Sequence, residues 1–171
     1  TTVEYTFGYK KCEDGKVRIY LHHSSVPYSA PKPSTADVTE EEVLACQGAW
    51  AAAIKRISKV YKEGGDFVQT AGDAASELYA YEYGDVLFKP TKALDERFRP
   101  SGESAMSYFV GAKNVEDGLE ADGGFAINGG RGWSDVVFKN HNIEVNGNTG
   151  QAMGTYDFTD ATDGSVTTVE Y

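Results

Sequence analysis

The chain opens on Thr1-Thr2-Val3-Glu4-Tyr5 and closes on Thr167-Thr168-Val169-Glu170-Tyr171, the same five residues at an offset of 167 − 1 = 166 positions. A pentapeptide repeated at such a distance points to a tandem-repeat protein cut out of register, or to a circularly permuted domain. In both cases the first segment completes the strand on which the last one breaks off. Read as a ring, the order of one domain is Ser34 through Tyr171 and then on through Thr6 to Tyr28. The expected division is therefore 1–28 for the last two strands, 29–33 for a Pro-rich linker and 34–171 for the helices and first strands. The pieces together make one domain.

A length of 171 residues suits a single domain with a real core. Nineteen glycines against five prolines fit the many tight turns of an antiparallel sheet. The net charge of −10 would repel phosphates, and with no basic stripe a nucleic-acid partner is excluded. Cys12 and Cys46 are too few and too far apart for a disulfide framework or a zinc motif. No apolar run approaches the ~20 residues that a membrane helix needs, so no membrane partner is expected.

A helix is expected after Thr39, whose hydroxyl can cap it, with Glu42 completing a capping box. Val43, Cys46, Trp50, Ile54, Ile57 and Tyr61 recur at helical spacing up to a stop at Gly64-Gly65. A second helix is expected over Phe67 to Tyr81, a short strand over Val86 to Thr91, and a third helix over Ser101 to Phe109. From Phe125 onward the pattern changes to strands: Ser134 to Lys139, Ile143 to Val145, Gln151 to Thr159, Val166 through the ring closure to Lys10, and Lys16 to Ser25. Asn146-Gly147, Asp163-Gly164 and Asp14-Gly15 lie between these runs as hairpin turns. Helices followed by a meander make the class α+β.

His22-His23-Ser24-Ser25 is the densest polar cluster and ends an apolar strand. Alternation puts His23 and Ser25 on one face and His22 and Ser24 on the other, so one His and one Ser look into a cavity together, whichever face is inward. The plain alternative is a histidine bonded to a carbonyl near the strand end. Thr91 places a hydroxyl just after the expected strand, and Tyr108 a phenol at the end of a short helix. The plain reading of Tyr108 is a core aromatic. Arg97 and Arg99 could hold an anion, but surface ion pairs with the many carboxylates are the expectation. The Gly123-Gly124 and Gly129-Gly130 pairs lack the strand-to-helix context of a phosphate loop. Adjacent histidines on a strand cannot both reach one ion, and no other ligand motif is present, so no metal site and no cofactor are expected.

The ring-order run Gly154-Thr155-Tyr156-Asp157-Phe158-Thr159-Asp160, Val169-Glu170-Tyr171-Thr6-Phe7-Gly8-Tyr9, Asp14-Gly15-Lys16-Val17 and Leu21-His22-His23-Ser24-Ser25-Val26-Pro27 resembles the association domain of calcium/calmodulin-dependent protein kinase II. It departs from that domain at His22–Ser25, where the kinases carry a different polar set. With Phe88-Lys89-Pro90-Thr91 and Ser107-Tyr108-Phe109-Val110-Gly111 upstream, the chain is similar to the iota class of carbonic anhydrases from algae and bacteria. The resemblance implies a cone-shaped fold of the nuclear-transport-factor-2-like superfamily, a long helix wrapped by a curved antiparallel sheet, here circularly shifted. It implies reversible hydration of carbon dioxide to bicarbonate without a metal, a homodimer or neighbouring repeats as the assembly, and the plastid of an alga as the compartment. Its pocket maps onto Thr91, Tyr108 and the His-His-Ser-Ser strand, with His23 and Ser25 preferred and His22 with Ser24 kept as the other register.

Two other classes compete with this expectation. One is a non-catalytic association domain that oligomerises through its sheet. The other is a small-molecule isomerase or cyclase; an isomerase of this fold would usually place an Asp or Glu base in the cavity, whereas the motif residues here are hydroxyls and imidazoles.

Overall fold

In the computed structural model, which describes residues 4–25, 37–93 and 96–171, the chain divides into two units, Thr1–Thr35 and Ala36–Tyr171. The expected linker at 29–33 lies outside the described residues.

The first unit is an antiparallel hairpin of β1 (Glu4–Lys11) and β2 (Val17–Ser25). Its turn is built by Asp14-Gly15. Gly15 takes the positive φ of 78° that the turn requires, and Asp14 accepts from the Lys16 amide and from both terminal nitrogens of Arg18. The register shifts between Gly8 and Tyr9, so that Gly8 faces Leu21 and Tyr9 faces Ile19. Tyr20 is thus the extra residue of a β-bulge.

The second unit begins with α1 (Glu40–Lys62). The capping box forms as the sequence predicts: the Thr39 hydroxyl accepts from the Glu42 amide, and the Glu42 carboxylate accepts from the Thr39 amide at 2.8 Å. Ile54 and Ile57 are buried, with Trp50 and Tyr61 packed against the same core. Cys46, expected on this stripe, is exposed. The inward position one residue on is Gln47, whose amide bonds Asn140 and the Tyr171 hydroxyl. Position 47 lies four residues after Val43 and three before Trp50, so it shares their face.

Helix α2 (Phe67–Leu78) is capped by Asp66 and stops short of the expected Tyr81; residues Ala80–Glu82 form a single 3₁₀ turn. Helix α3 (Gly102–Val110) starts from the Ser101 cap. The strand expected over Val86 to Thr91 does not form. Pro90 is buried and lacks an amide, and among the described residues the segment makes isolated backbone bonds, from the Phe88 amide to Val86 and with Arg99 and Pro100.

The sheet of this unit has the order β3 (Trp133–Asn146), β4 (Thr149–Asp160), β5 (Val166–Glu170), antiparallel throughout. The two strands expected over 134–139 and 143–145 are one strand, interrupted by an irregularity between Asn140 and Asn142. Asn146-Gly147 and Asp163-Gly164 turn the chain, with both glycines at positive φ. One face of the sheet packs on α1. Val136 and Phe158 are fully buried there, and Phe138, Tyr156 and Val169 pack against the same core.

Candidate active site

The aromatic core of the second unit also contributes to the wall of a cleft, through Tyr108, Phe125 and Trp133. Trp50 from α1 lies among Phe125, Phe138, Tyr156 and Phe158 at centroid distances of 5.8–6.3 Å. Its indole N–H donates to the Tyr79 hydroxyl at 2.8 Å. Beyond Phe125, whose ring stacks on Tyr108 at 5.4 Å, the cleft opens with a volume of about 670 Å³. Thr91, Lys92, Tyr108, Asp122, Phe125 and Asn128 are among its lining residues.

Tyr108 stands on the last turn of α3 with 6% of its surface exposed. Its phenol oxygen is hydrogen-bonded to the Lys92 backbone N–H. Burial pushes this phenol up to about 12, although the Lys92 amide works in the opposite direction. Tyr108 is therefore a neutral O–H at physiological pH, and it lines the cleft. The neighbouring residue Thr91 is exposed at the mouth, and its hydroxyl is bonded to that of Tyr156. Burial raises Tyr156 and Tyr79 too, so all three phenols keep their protons at neutral pH. The turn after Pro90 brings Thr91 and Tyr108 to one place, as their motifs suggested.

The floor of the cleft is a loop that the sequence offered only as two glycine pairs. Residues Phe125–Gly130 run from the first pair through the second as 3₁₀ turns kinked where Asn128 and Gly129 take φ of 50° and 59°. Gly124 has φ 85°, and a Cβ there would sit 2.8 Å from Ile127, so no other residue fits. The Ser58 hydroxyl donates to the Ala126 carbonyl at 2.6 Å and accepts from the Trp133 amide at 2.8 Å, while the Trp133 indole donates to the Phe125 carbonyl.

Asp122 was missed by sequence reasoning, and Arg99 was misplaced on the surface. Arg99 is 1% exposed, and its guanidinium donates to both Asp122 oxygens at 3.0 and 3.2 Å and to the Glu96 carbonyl. The Ser107 hydroxyl donates to Asp122 at 2.7 Å and accepts from the Leu119 amide. Asp122 in turn ties the pair to Ser107 of α3, and nothing in the spacing of Arg-Phe-Arg-Pro announces that. Arg97 by contrast is exposed.

In the hairpin unit, Thr6 lies opposite His23 and Phe7 opposite His22, with the Phe7 and His22 rings stacked at 4.1 Å. Both imidazoles are exposed. Tyr5 and Glu4 pair with Ser24 and Ser25 in the same register. His141, the remaining histidine, lies at the β3 irregularity and is exposed. Among the described residues no three His, Cys, Asp or Glu side chains are grouped to hold a metal ion.

Three comparisons bear on this arrangement. A family model described as metal-independent carbonic anhydrase matches residues 1–26 and 41–171. The metal-independent carbonic anhydrase of Nostoc sp. strain PCC 7120 is 39% identical over 136 residues, which are 78% of this chain. The match spans 63% of that relative's own length. The crystal structure of an iota-carbonic anhydrase from a cyanobacterium, complexed with bicarbonate, superposes with a TM-score of 0.72 at 36% identity, covering 84% of each chain.

Proposed function

The chain belongs to the metal-independent carbonic anhydrase family, and from that membership and the geometry of the cleft we propose that it interconverts carbon dioxide and bicarbonate without a metal. The observation that carries this reading is the meeting of the Tyr108 phenol with the Thr91–Lys92 turn in one cleft.

In the hydration direction a water oxygen bonds to the carbon of carbon dioxide, one C=O electron pair moves onto oxygen, and a proton leaves the water. A bound zinc would lower the pKa of that water to about 7. Without one, catalysis must come from holding water and carbon dioxide in line and from donors aimed at the oxygen that becomes negative. Tyr108 is such a donor, and Thr91 is the second hydroxyl beside it. An imidazole of the His22–Ser25 strand takes the proton, the task for which histidine is suited near neutral pH.

Strand parity favours His22 over His23 for that role. Thr1–Tyr5 repeats Thr167–Tyr171, and in the circularly shifted order proposed here the residues after Tyr5 would continue the strand that β5 begins. The Tyr171 side chain lies on the α1 side, bonded to Asn140 and stacked on Tyr156. Two residues further along such a strand is Phe7, on the same face, and opposite Phe7 is His22. Alternation adds position 24 to that face. The pair His22 and Ser24 is thus our cavity-facing choice, with His23 and Ser25 as the other register. The completed domain would be the cone-shaped, nuclear-transport-factor-2-like fold in circularly shifted order.

The test is stopped-flow hydration of carbon dioxide by chelator-treated protein. Losing one preorganised donor costs about 2.7–4 kcal/mol, roughly 100- to 1000-fold in rate. Thr91→Ala and Tyr108→Phe are each expected to fall by that order with an unchanged far-UV spectrum. Ser24→Ala is expected to lose more than Ser25→Ala. Near-normal rates in all four variants would refute the site and return the chain to the association-domain reading.

A further inference from the structure

Among the described residues Asp117 and Asn128 are the two without a glycine's freedom that are held at positive φ, and Asn128, at 50°, stands on the floor of the cleft. Asn tolerates that region better than most residues, yet holding a side chain there has a cost and calls for a reason. The side chain is fixed as firmly as the backbone. Its Nδ2 donates to the Asp160 carboxylate at 2.7 Å and to the Gly132 carbonyl at 3.4 Å. Asp160 ends β4 at 6% exposure, and its oxygens also accept from Arg131 Nε and the Thr162 amide. A carboxylate and a carbonyl only accept, so the Asn128 amide cannot turn over without setting oxygen against oxygen. Oδ1 is the end left over. Among the described residues nothing donates to it, and the one sealed polar side-chain atom without a partner is Arg99 Nε, so Oδ1 has access to open space.

The other polar side chains of this wall are engaged or can only donate. The Asp122 oxygens are taken by Arg99 and Ser107. The Tyr108 oxygen is bonded to the Lys92 amide and the Thr91 hydroxyl to Tyr156. The Lys92 ammonium and the Trp133 indole have no acceptor to offer. Among the described lining residues Asn128 therefore carries the one side-chain acceptor oxygen with no bond of its own. Carbon dioxide brings no proton to such a group. The water that attacks it does, and the product keeps one as an O–H.

We propose that Asn128 Oδ1 accepts one O–H of the attacking water and, once the C–O bond has formed, the O–H of bicarbonate; this rests on the function proposed above. Water attacks through a lone pair, and holding one of its O–H bonds aims that pair at the carbon. The held proton stays on the oxygen and becomes the bicarbonate O–H. The other proton leaves to the base, and Asn128 itself takes none. In the reverse direction the same bond sorts anions by whether they carry a proton. Nitrate is flat, singly charged and close to bicarbonate in size, but it has no O–H. Opposite Oδ1 it sets lone pair against lone pair. Asn128 thus makes the cleft prefer bicarbonate to nitrate.

Asn128→Gly keeps the positive φ and removes the amide. Bicarbonate and nitrate are titrated separately into the isotope-labelled chain, with the amide chemical shifts of residues 123–130 as the readout. The unsubstituted chain is expected to bind bicarbonate the more tightly. In Asn128→Gly the bicarbonate dissociation constant is expected to rise about tenfold, the loss of one hydrogen bond, while that of nitrate stays within about twofold. A floor that is merely loosened weakens both anions alike and leaves their ratio unchanged. Asp160→Asn makes the same test without touching position 128: an amide there can donate to Oδ1 and let Asn128 turn over, so the ratio is expected to narrow through tighter nitrate binding. An unchanged ratio in either variant would overturn the inference. If the unsubstituted chain neither binds bicarbonate nor hydrates carbon dioxide, the proposed function falls and this inference with it. If it does both and the ratio is unchanged in the variants, the inference falls alone.

Discussion

Among the described residues Arg99 is the largest side chain wholly enclosed, and its charge is answered by the carboxylate of Asp122. Two ions out of water are tolerated only when each is paired and bonded, and removing one partner of such a pair costs about 3–5 kcal/mol. Asp122 also receives the Ser107 hydroxyl, one residue before Tyr108, and borders the cleft. The network therefore ties the stability of α3 to the position of the phenol. Asp122→Asn keeps the volume and leaves the guanidinium uncompensated. Its unfolding free energy in urea is expected to drop by about 3–5 kcal/mol. A drop below about 1 kcal/mol would show that water reaches Arg99.

At the scale of elements, α1 depends on its first turn. The reciprocal bonds of Thr39 and Glu42 satisfy two amides that a helix start leaves open. Thr39→Ala is expected to destabilise the protein by about 0.5–2 kcal/mol, read as a lower urea midpoint with an unchanged slope. This cap, the Gly64-Gly65 stop and the three Asx-Gly turns were legible in the sequence because each is decided by residues within a few positions of one another. The joining of 134–139 and 143–145 into one β3 was not, since β4 holds the strand together across its irregularity. The missing strand at Val86–Thr91 was misread for a related reason: strand-like residues need a partner ladder, and Pro90 denies it one. That Thr91 and Tyr108 line one cleft was legible through their motifs. Gln47, which meets Asn140 across 93 positions, and the Arg99–Asp122 pair were not, because only tertiary packing brings such residues together.

Across the whole molecule, carboxylates held by partners set the response to acid. The Ser165 hydroxyl and amide, together with the Arg131 guanidinium, hold Asp163 down at about 2. Lys55 lowers Asp135, and Lys139 lowers Asp157. An unfolded Asp titrates near about 3.9, so between these values the unfolded chain binds the proton and the folded one does not. The stabilisation from Asp163 is complete above about pH 4 and is lost as the pH falls through its folded value of about 2, and Asp135 and Asp157 lose theirs in the same direction, below the unfolded value. The melting temperature is expected to fall over that window, and Asp163→Asn is expected to flatten part of the fall. A melting temperature indifferent to pH from 5 to 2 would contradict the assignment. A different consequence follows from Ser58, whose proton goes to Ala126 and whose lone pair receives the Trp133 amide. Both ends of the cleft floor are thereby referenced to one turn of a 23-residue helix. Thermal motion of the floor is slaved to that helix, so the loss of freedom in arranging a small substrate beside a water is settled once, when the chain folds, and not again at every turnover.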